Sequence, residues 1–228
     1  MREKGILAYL GILDYTEAWE LQHNLWARRV KRIIPDTVLL LEHPHTITLG
    51  KRGNRFHLKA SPEILERLEI PVIHVERGGD ITYHGPGQTI VYPILHLEDY
   101  GLNVTQYVET LEEFVIQVLK DFVIEGKRSR QNRGVWVGDD KIASIGVAIS
   151  KWVSFHGLAL NYNTNLKYFD LINACGLENN KMTSIAKILG REISRDDVHK
   201  SMGFHFKNLF RKDWQVKQLW EVEDLLKG

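Results

Sequence analysis

The apolar positions of this chain alternate between two periods. From Asn103 onward, Val104, Tyr107, Val108, Leu111, Phe114, Val115, Val118, Leu119 and Phe122 recur every three or four residues, which predicts an amphipathic helix. Asn103 and Gln106 supply its capping signal. A second helix is predicted from Asp14, with Glu17 as an acidic capping partner, to about Arg32, with apolar positions at Trp19, Leu21, Leu25 and Trp26. Ser61 before Pro62 starts a third, which should stop before Pro71. A short helix near Ser184 to Leu189 closes at Gly190, and another begins at Ser194 with Asp197 as its acidic partner.

Between these stretches, Thr37 to Leu41, Thr46 to Leu49, Val72 to Val75 and Thr89 to Leu95 read as strands. Val135 to Val137, Ile142 to Ile149 and Val153 to Leu160 read as consecutive strands. The turn signal Gly138, Asp139, Asp140 joins the first two in antiparallel fashion. Ile6 to Leu13 is apolar but short, is interrupted by Gly11 and runs into Asp14 and Glu17, so neither a signal peptide nor a membrane span is expected. Helices mixed with hairpin-linked strands predict an α+β domain rather than a doubly wound parallel sheet. Without a repeat, low-complexity tract or Pro/Gly/Ser linker, a single domain over residues 1–228 is expected.

Composition narrows the class. With 43% hydrophobic and 26% charged residues the chain is apolar enough to fold. Its 30 Lys and Arg balance 29 Asp and Glu, so it lacks the broad positive field that holds nucleic acid. Two local basic runs remain, Arg28, Arg29, Lys31, Arg32 and Lys127, Arg128, Arg130, Arg133, each readable as a solvated face or as a surface for an acidic protein. One cysteine, Cys175, excludes an internal disulfide framework and fits a reducing compartment, with cytoplasm the expected location.

Chemistry-bearing residues concentrate in Arg77-Gly-Gly-Asp-Ile-Thr-Tyr-His-Gly-Pro-Gly-Gln88. Its four glycines let backbone approach a ligand, and Arg77, Thr82, Tyr83, His84 and Gln88 add polar groups. The spacing is neither a dinucleotide fingerprint nor a P-loop, and an ordinary loop is the competing reading. Cys175 in Asn-Ala-Cys-Gly could be an inert thiol. A thiol of pKa about 8.5 is a useful nucleophile near neutrality only beside a group that favours its ionisation. Lys141, at the start of a strand, could be a turn lysine, and His156, among apolar neighbours, a hydrogen-bonded core or lining histidine. His43-Pro-His45 has metal-like spacing but no completing ligands, so no metal and no cofactor is expected.

The segment Arg77 to Gln88 resembles the signature of lipoyl(octanoyl) transferases. Leu41-Glu-His-Pro44, Gly134-Val-Trp-Val-Gly138, Lys141-Ile-Ala-Ser-Ile-Gly146, Ser154-Phe-His-Gly-Leu-Ala-Leu-Asn161, Ala174-Cys-Gly176 and Met182-Thr-Ser184 resemble family segments in the same order, over roughly residues 6 to 210. The resemblance implies the fold of biotin and lipoate protein ligases, a mainly antiparallel mixed sheet packed with helices, with an acyl tunnel. It also implies Cys175 as the acyl-thioester residue and Lys141 as the lysine that activates it. The substrate-binding set it implies is Arg77, Gly78, Gly79, Asp80, Ile81, Thr82, Tyr83 and His84, then Ser144, Ile145 and Gly146, then Gly157, Leu158 and Ala159, with His156 as site lining. Ala174 and Arg133 depart from residues common in the family.

The implied reaction moves an octanoyl group from octanoyl acyl carrier protein to a lysine of lipoyl domains. The expected acceptors are those of 2-oxoacid dehydrogenase E2 subunits and the glycine cleavage H protein; neither nucleic acid nor membrane is a partner. Two alternatives share some of these features. One is an ATP-dependent lipoate or biotin protein ligase, and the other is a noncatalytic acyl or carrier-protein binding module. If the carrier docks through a basic strip, Lys127 to Arg133 is the better candidate, because it leads into the strand of Lys141.

Overall fold

In a computed structural model, residues 4–129, 132–173 and 181–227 are described, and these contain eleven strands and six α-helices. The strands are β1 (Gly5–Ile12), β2 (Thr37–Glu42), β3 (Thr46–Leu49), β4 (Val72–His74), β5 (Ile81–His84), β6 (Gln88–Ile94), β7 (Lys127–Arg128), β8 (Val135–Val137), β9 (Asp140–Ser150), β10 (Val153–Asn161) and β11 (Trp214–Lys217). The helices are α1 (Tyr15–Val30), α2 (Pro62–Arg67), α3 (Val104–Asp121), α4 (Ile185–Leu189), α5 (Arg195–Phe210) and α6 (Leu219–Asp224).

Eight strands form one sheet in the order β11-β1-β2-β6-β10-β9-β8-β7, and a small sheet has the order β4-β3-β5. From β2 across to β7 every pairing is antiparallel. Parallel pairs occur where β1 meets β2 and β11, and where β3 meets β4. The architecture is therefore α+β with a mainly antiparallel mixed sheet, as expected.

Local signals set the helix ends. Asn103 and Gln106 form a reciprocal capping box at α3, each side chain bonding the other's backbone N–H at 2.9 and 3.0 Å. Asp14 accepts from the backbone N–H of Thr16 and Glu17, and Ser184 from that of Lys187. Ser194 does not cap α5 through its side chain. Helix α3 buries Tyr107, Leu111, Phe114, Val115, Val118 and Leu119 against α5 and the large sheet. On the opposite face, α1 buries Ala18, Leu21 and Leu25 across β6 and β10. A third core joins the small sheet to α2, around Ile47, Leu49, Leu65, Ile81 and Tyr83.

Four strands lie where the sequence signalled none, one of them the two-residue β7 within the basic run Lys127 to Arg133. Gly5–Ile12 is a full strand, and Trp214–Lys217 pairs beside it. Ile81–His84 is a strand inside the glycine-rich segment.

Candidate functional site

The small sheet and the large sheet meet along the segment that begins at Arg77. The Gly78 N–H donates to Val147 O at 2.9 Å, docking this segment on β9. The contact requires glycine on both sides, because a Cβ on Gly146 would stand 2.9 Å from Gly78 O, and Gly79 holds φ +94°. Arg77, buried, fastens the segment to β3 by donating to Thr48 O at 2.7 Å and to the Thr48 hydroxyl.

Between the sheets lies a narrow cavity of about 780 Å³, counting its open mouth. Apolar walls come from Ile81, Ile90, Ile145, Leu158, Ala159, Trp136 and Met182, and glycines 78, 79, 146 and 157 widen it. The cavity shares Gly78, Gly79, Asp80, Lys141, Ile145 and Gly146 with a broader groove that adds Arg52, Val108, Asn132 and Arg133.

Lys141 stands where the two meet. It is 6% exposed, and its Nζ lies 5.6 Å from the centroid of the Trp136 ring, in cation–π range. Backbone bonds clamp it to the strand-like stretch after residue 180. Lys141 N–H donates to Lys181 O and Thr183 N–H to Lys141 O, both at 2.9 Å. Gly134 (φ +125°) packs against the lysine stem, since a Cβ there would stand 2.6 Å from Lys141 Cε and 2.4 Å from Ala143 O. The Gly134 N–H is in turn held by the buried Glu112 carboxylate at 3.0 Å.

The inner end of the cavity is polar. His84 is bonded on both sides: Nδ1 donates to Gln88 Oε1 at 2.9 Å and Nε2 accepts from the Thr48 hydroxyl at 3.2 Å. Gln88 donates to Asn161 Oδ1, and Asn161 donates to Thr183 O, so one network runs from the glycine-rich segment to the strand of Lys141. Burial, with the neighbouring His43, pushes the His84 pKa well below the usual imidazole range. His43 donates from Nδ1 to Leu13 O and accepts at Nε2 from the Tyr92 hydroxyl at 2.7 Å. Burial lowers its pKa to about 4. Burial also lowers the pKa of His156, with Glu76 opposing.

The residues expected from the sequence thus fall on one cavity with two exceptions. Tyr83 is buried away from it, stacked on Tyr168 in the small-sheet core. Cys175, with Ala174 and Gly176, lies outside the described residues. Asp80 lines the wall, but its carboxylate is bonded to Asn54 N–H and to the His57 ring. Tyr15, Ile90, Tyr92, Trp136 and Met182 line the cavity without having been named as site residues; of these, Trp136 and Met182 sat in segments that carried the family resemblance.

The basic runs serve the fold. Arg29 is buried and paired with Asp36 at 2.7 Å and Asp99 at 2.6 Å, and Arg32 also pairs with Asp99. Arg128 pairs with Glu113 at 2.7 Å and Glu112 at 3.6 Å, and Arg133 with Glu112 at 3.6 Å. Much of the strip's charge is therefore already met by α3, which weakens its case as a docking surface.

No helix among the described residues is long and apolar enough to cross a membrane, and no described cluster of side chains is arranged to hold a metal.

The sequence matches the lipoyl protein ligase A/B catalytic domain over residues 14–207. It is 61% identical over 226 residues to an octanoyltransferase of Syntrophobacter fumaroxidans, covering 99% of each chain. It is 42% identical to an octanoyltransferase of Caldicellulosiruptor bescii, covering 97% of this chain and 98% of that one. Among solved structures, lipoate-protein ligase A bound with ATP aligns with TM-score 0.76 at 13% identity, covering 100% of this chain and 93% of that one. A bipartite lipoate protein ligase from Thermoplasma acidophilum aligns with TM-score 0.75 at 14% identity, covering 99% and 91%. Those two likenesses speak to the fold alone. The cavity between the sheets, the lysine at its mouth and the full-length sequence matches converge: the chain belongs to the octanoyltransferases of the lipoyl protein ligase A/B catalytic family.

Proposed function

We propose that this enzyme transfers an octanoyl group from acyl carrier protein to a lysine of lipoyl domains, through a thioester on Cys175. The observation that carries the reading is the position of Lys141, a buried amine where an apolar cavity opens into a surface groove. The cavity suits an alkyl chain, and the groove gives a carrier arm and then an acceptor lysine access to the same point.

In the first half-reaction the Cys175 thiolate attacks the carrier thioester, the carbon–sulfur bond to the carrier breaks, and the departing carrier thiolate takes a proton from Lys141. In the second, the acceptor amine attacks the enzyme thioester, an amide forms, and the amine's proton passes through Lys141 to the departing Cys175 sulfur. An ammonium at Lys141 favours the thiolate. The chain that precedes Cys175 is anchored at Asn173, whose N–H donates to His57 O at 2.6 Å, and the chain that follows re-emerges at Met182, which lines the cavity and bridges to Lys141. The Gly78 amide is already committed to Val147 O and so is not free to stabilise the tetrahedral oxyanion.

Thioester to amide is downhill, so this route needs no ATP. Incubating the enzyme with octanoyl acyl carrier protein and a lipoyl domain should give octanoylated domain without ATP. Transfer that occurs only from free octanoate with ATP would replace this reading by the ligase one.

A further inference from the structure

The inner end of the cavity holds a residue that the reaction above does not use. His156 lies in the middle of β10 at φ +53°, a left-handed conformation that a non-glycine residue rarely holds within a strand. Its backbone N–H donates to Gln22 Oε1 of α1 at 2.8 Å. The ring is 1% exposed and lines the cavity, yet neither nitrogen has a hydrogen-bond partner among the described residues. The nearest polar atom named beside it is Glu76 Oε2, an ion-pair contact at 3.7 Å from Nε2 that is longer than a hydrogen bond; the same carboxylate accepts from Trp19 Nε1 at 3.1 Å and pairs with His23 Nε2. The neighbouring Tyr92 hydroxyl is occupied with His43.

A buried donor and acceptor without partners is costly, and a cavity with such a group at its end is a place where water is retained. The route to it is apolar. Leu158 and Ala159 lead along β10, and Gly157 pairs with Gly146 five places beyond Lys141 on β9, roughly 16 Å along the strand. A growing alkyl chain therefore gains from each methylene until it reaches His156, where the next one strips water from an imidazole and offers nothing in return.

Resting on the acyl-transfer reading above, we infer that His156 is a chain-length stop, a specificity-determining residue whose polar ring ends the alkyl path and disfavours acyl groups long enough to reach it. The backbone strain at φ +53° is what turns the ring into the path.

The test compares kcat/KM for hexanoyl, octanoyl, decanoyl and dodecanoyl carrier protein in the wild-type enzyme, His156→Gly and His156→Asn. Both substitutions tolerate positive φ. Glycine removes the polar stop, so the dodecanoyl-to-octanoyl ratio of kcat/KM should rise at least tenfold, mainly through KM, and the optimum should move to longer chains. Asparagine keeps a polar group set further back and should shift the ratio in the same direction by less. Thermal melts establish that each variant is folded, and a merely structural histidine would lower all four substrates together. An unchanged ratio in a folded variant overturns the stop. Should the wild-type enzyme fail to use octanoyl carrier at all, the transfer reading itself has failed; normal octanoyl turnover with an unmoved ratio sinks only the stop.

Discussion

The two ends of the cavity are built on opposite electrostatic plans. At the mouth, Lys141 is a basic side chain kept under an aromatic ring, on a strand clamped to the stretch that follows the Cys175 segment. At the inner end, His43, His84 and His156 are imidazoles that burial keeps neutral, two of them bonded on both nitrogens. In the proposed reaction the mouth moves protons. The inner end is arranged not to titrate, and the apolar wall between them separates the reacting carbonyl from the alkyl tail. The difference teaches that a histidine-rich sequence need not mean histidine catalysis: the signature's His84 is a girder between Thr48 and Gln88.

If the mouth carries the chemistry, Lys141→Ala should lower carrier-dependent acylation by about a thousandfold at neutral pH, more than any change at the inner end. Raising pH should restore part of the first half-reaction by supplying thiolate from solution. Lys141→Arg should rescue poorly, because a guanidinium keeps its proton. Stopped-flow acylation across pH 6 to 10 separates these outcomes, and full activity in the arginine variant would reduce Lys141 to a purely electrostatic role.

Next in size is Gly134→Ala. The new methyl would meet Ala143 O and the Lys141 stem at φ +125°, so kcat should fall about ten- to a hundredfold with little change in KM. Wild-type kcat in this variant would mean that the lysine tolerates displacement.

The inner end predicts a pH-dependent stability rather than a pH-dependent rate. The folded pKa of His43, about 4, lies below its unfolded value near 6.5, so the unfolded state binds more protons in that window. Stability should be full above pH 6.5 and fall as pH drops toward 4, by roughly 3 kcal/mol from this group. His43→Gln should be less stable at pH 7 and show a flatter decline in urea titrations between pH 7 and 4. An equally steep decline would assign the loss to other groups.

The smallest effect belongs to the basic strip. Arg128→Ala removes ion pairs that are partly exposed, and it should cost about 1 kcal/mol or less in stability. The salt dependence of KM for the carrier should not change. A marked loss of that dependence would return the strip to the docking role.

What was legible in the sequence was local. The capping box of Asn103 and Gln106, the hairpin turn at Gly138 to Asp140 and the helical stripe of α3 depend on residues a few positions apart. The strand Gly5–Ile12 was not legible, because it is made by parallel neighbours far away in the chain, Thr37 to Glu42 on one side and Trp214 to Lys217 on the other. The strand Ile81–His84 was hidden by the glycines flanking it. At the site, the glycine-rich segment could be marked by its own residue types, whereas Lys141 and the residues 144–146 and 157–159 were marked only by the family resemblance. Tyr15 and Tyr92 carry no such mark and enter the cavity only through packing. The pairing of Arg128 and Arg133 with α3 was equally invisible, since the strip lies distant in sequence from Glu109, Glu112 and Glu113.

The central claim is that the acyl group rests on Cys175 before it reaches the acceptor. Intact-protein and peptide mass spectrometry after brief mixing with octanoyl acyl carrier protein, without ATP or acceptor, tests it most directly. The account predicts one octanoyl increment on the peptide containing Cys175, its disappearance when lipoyl domain is added, and none in Cys175→Ser. Undiminished transfer to the lipoyl domain by Cys175→Ser, or an increment located on another residue, would contradict it.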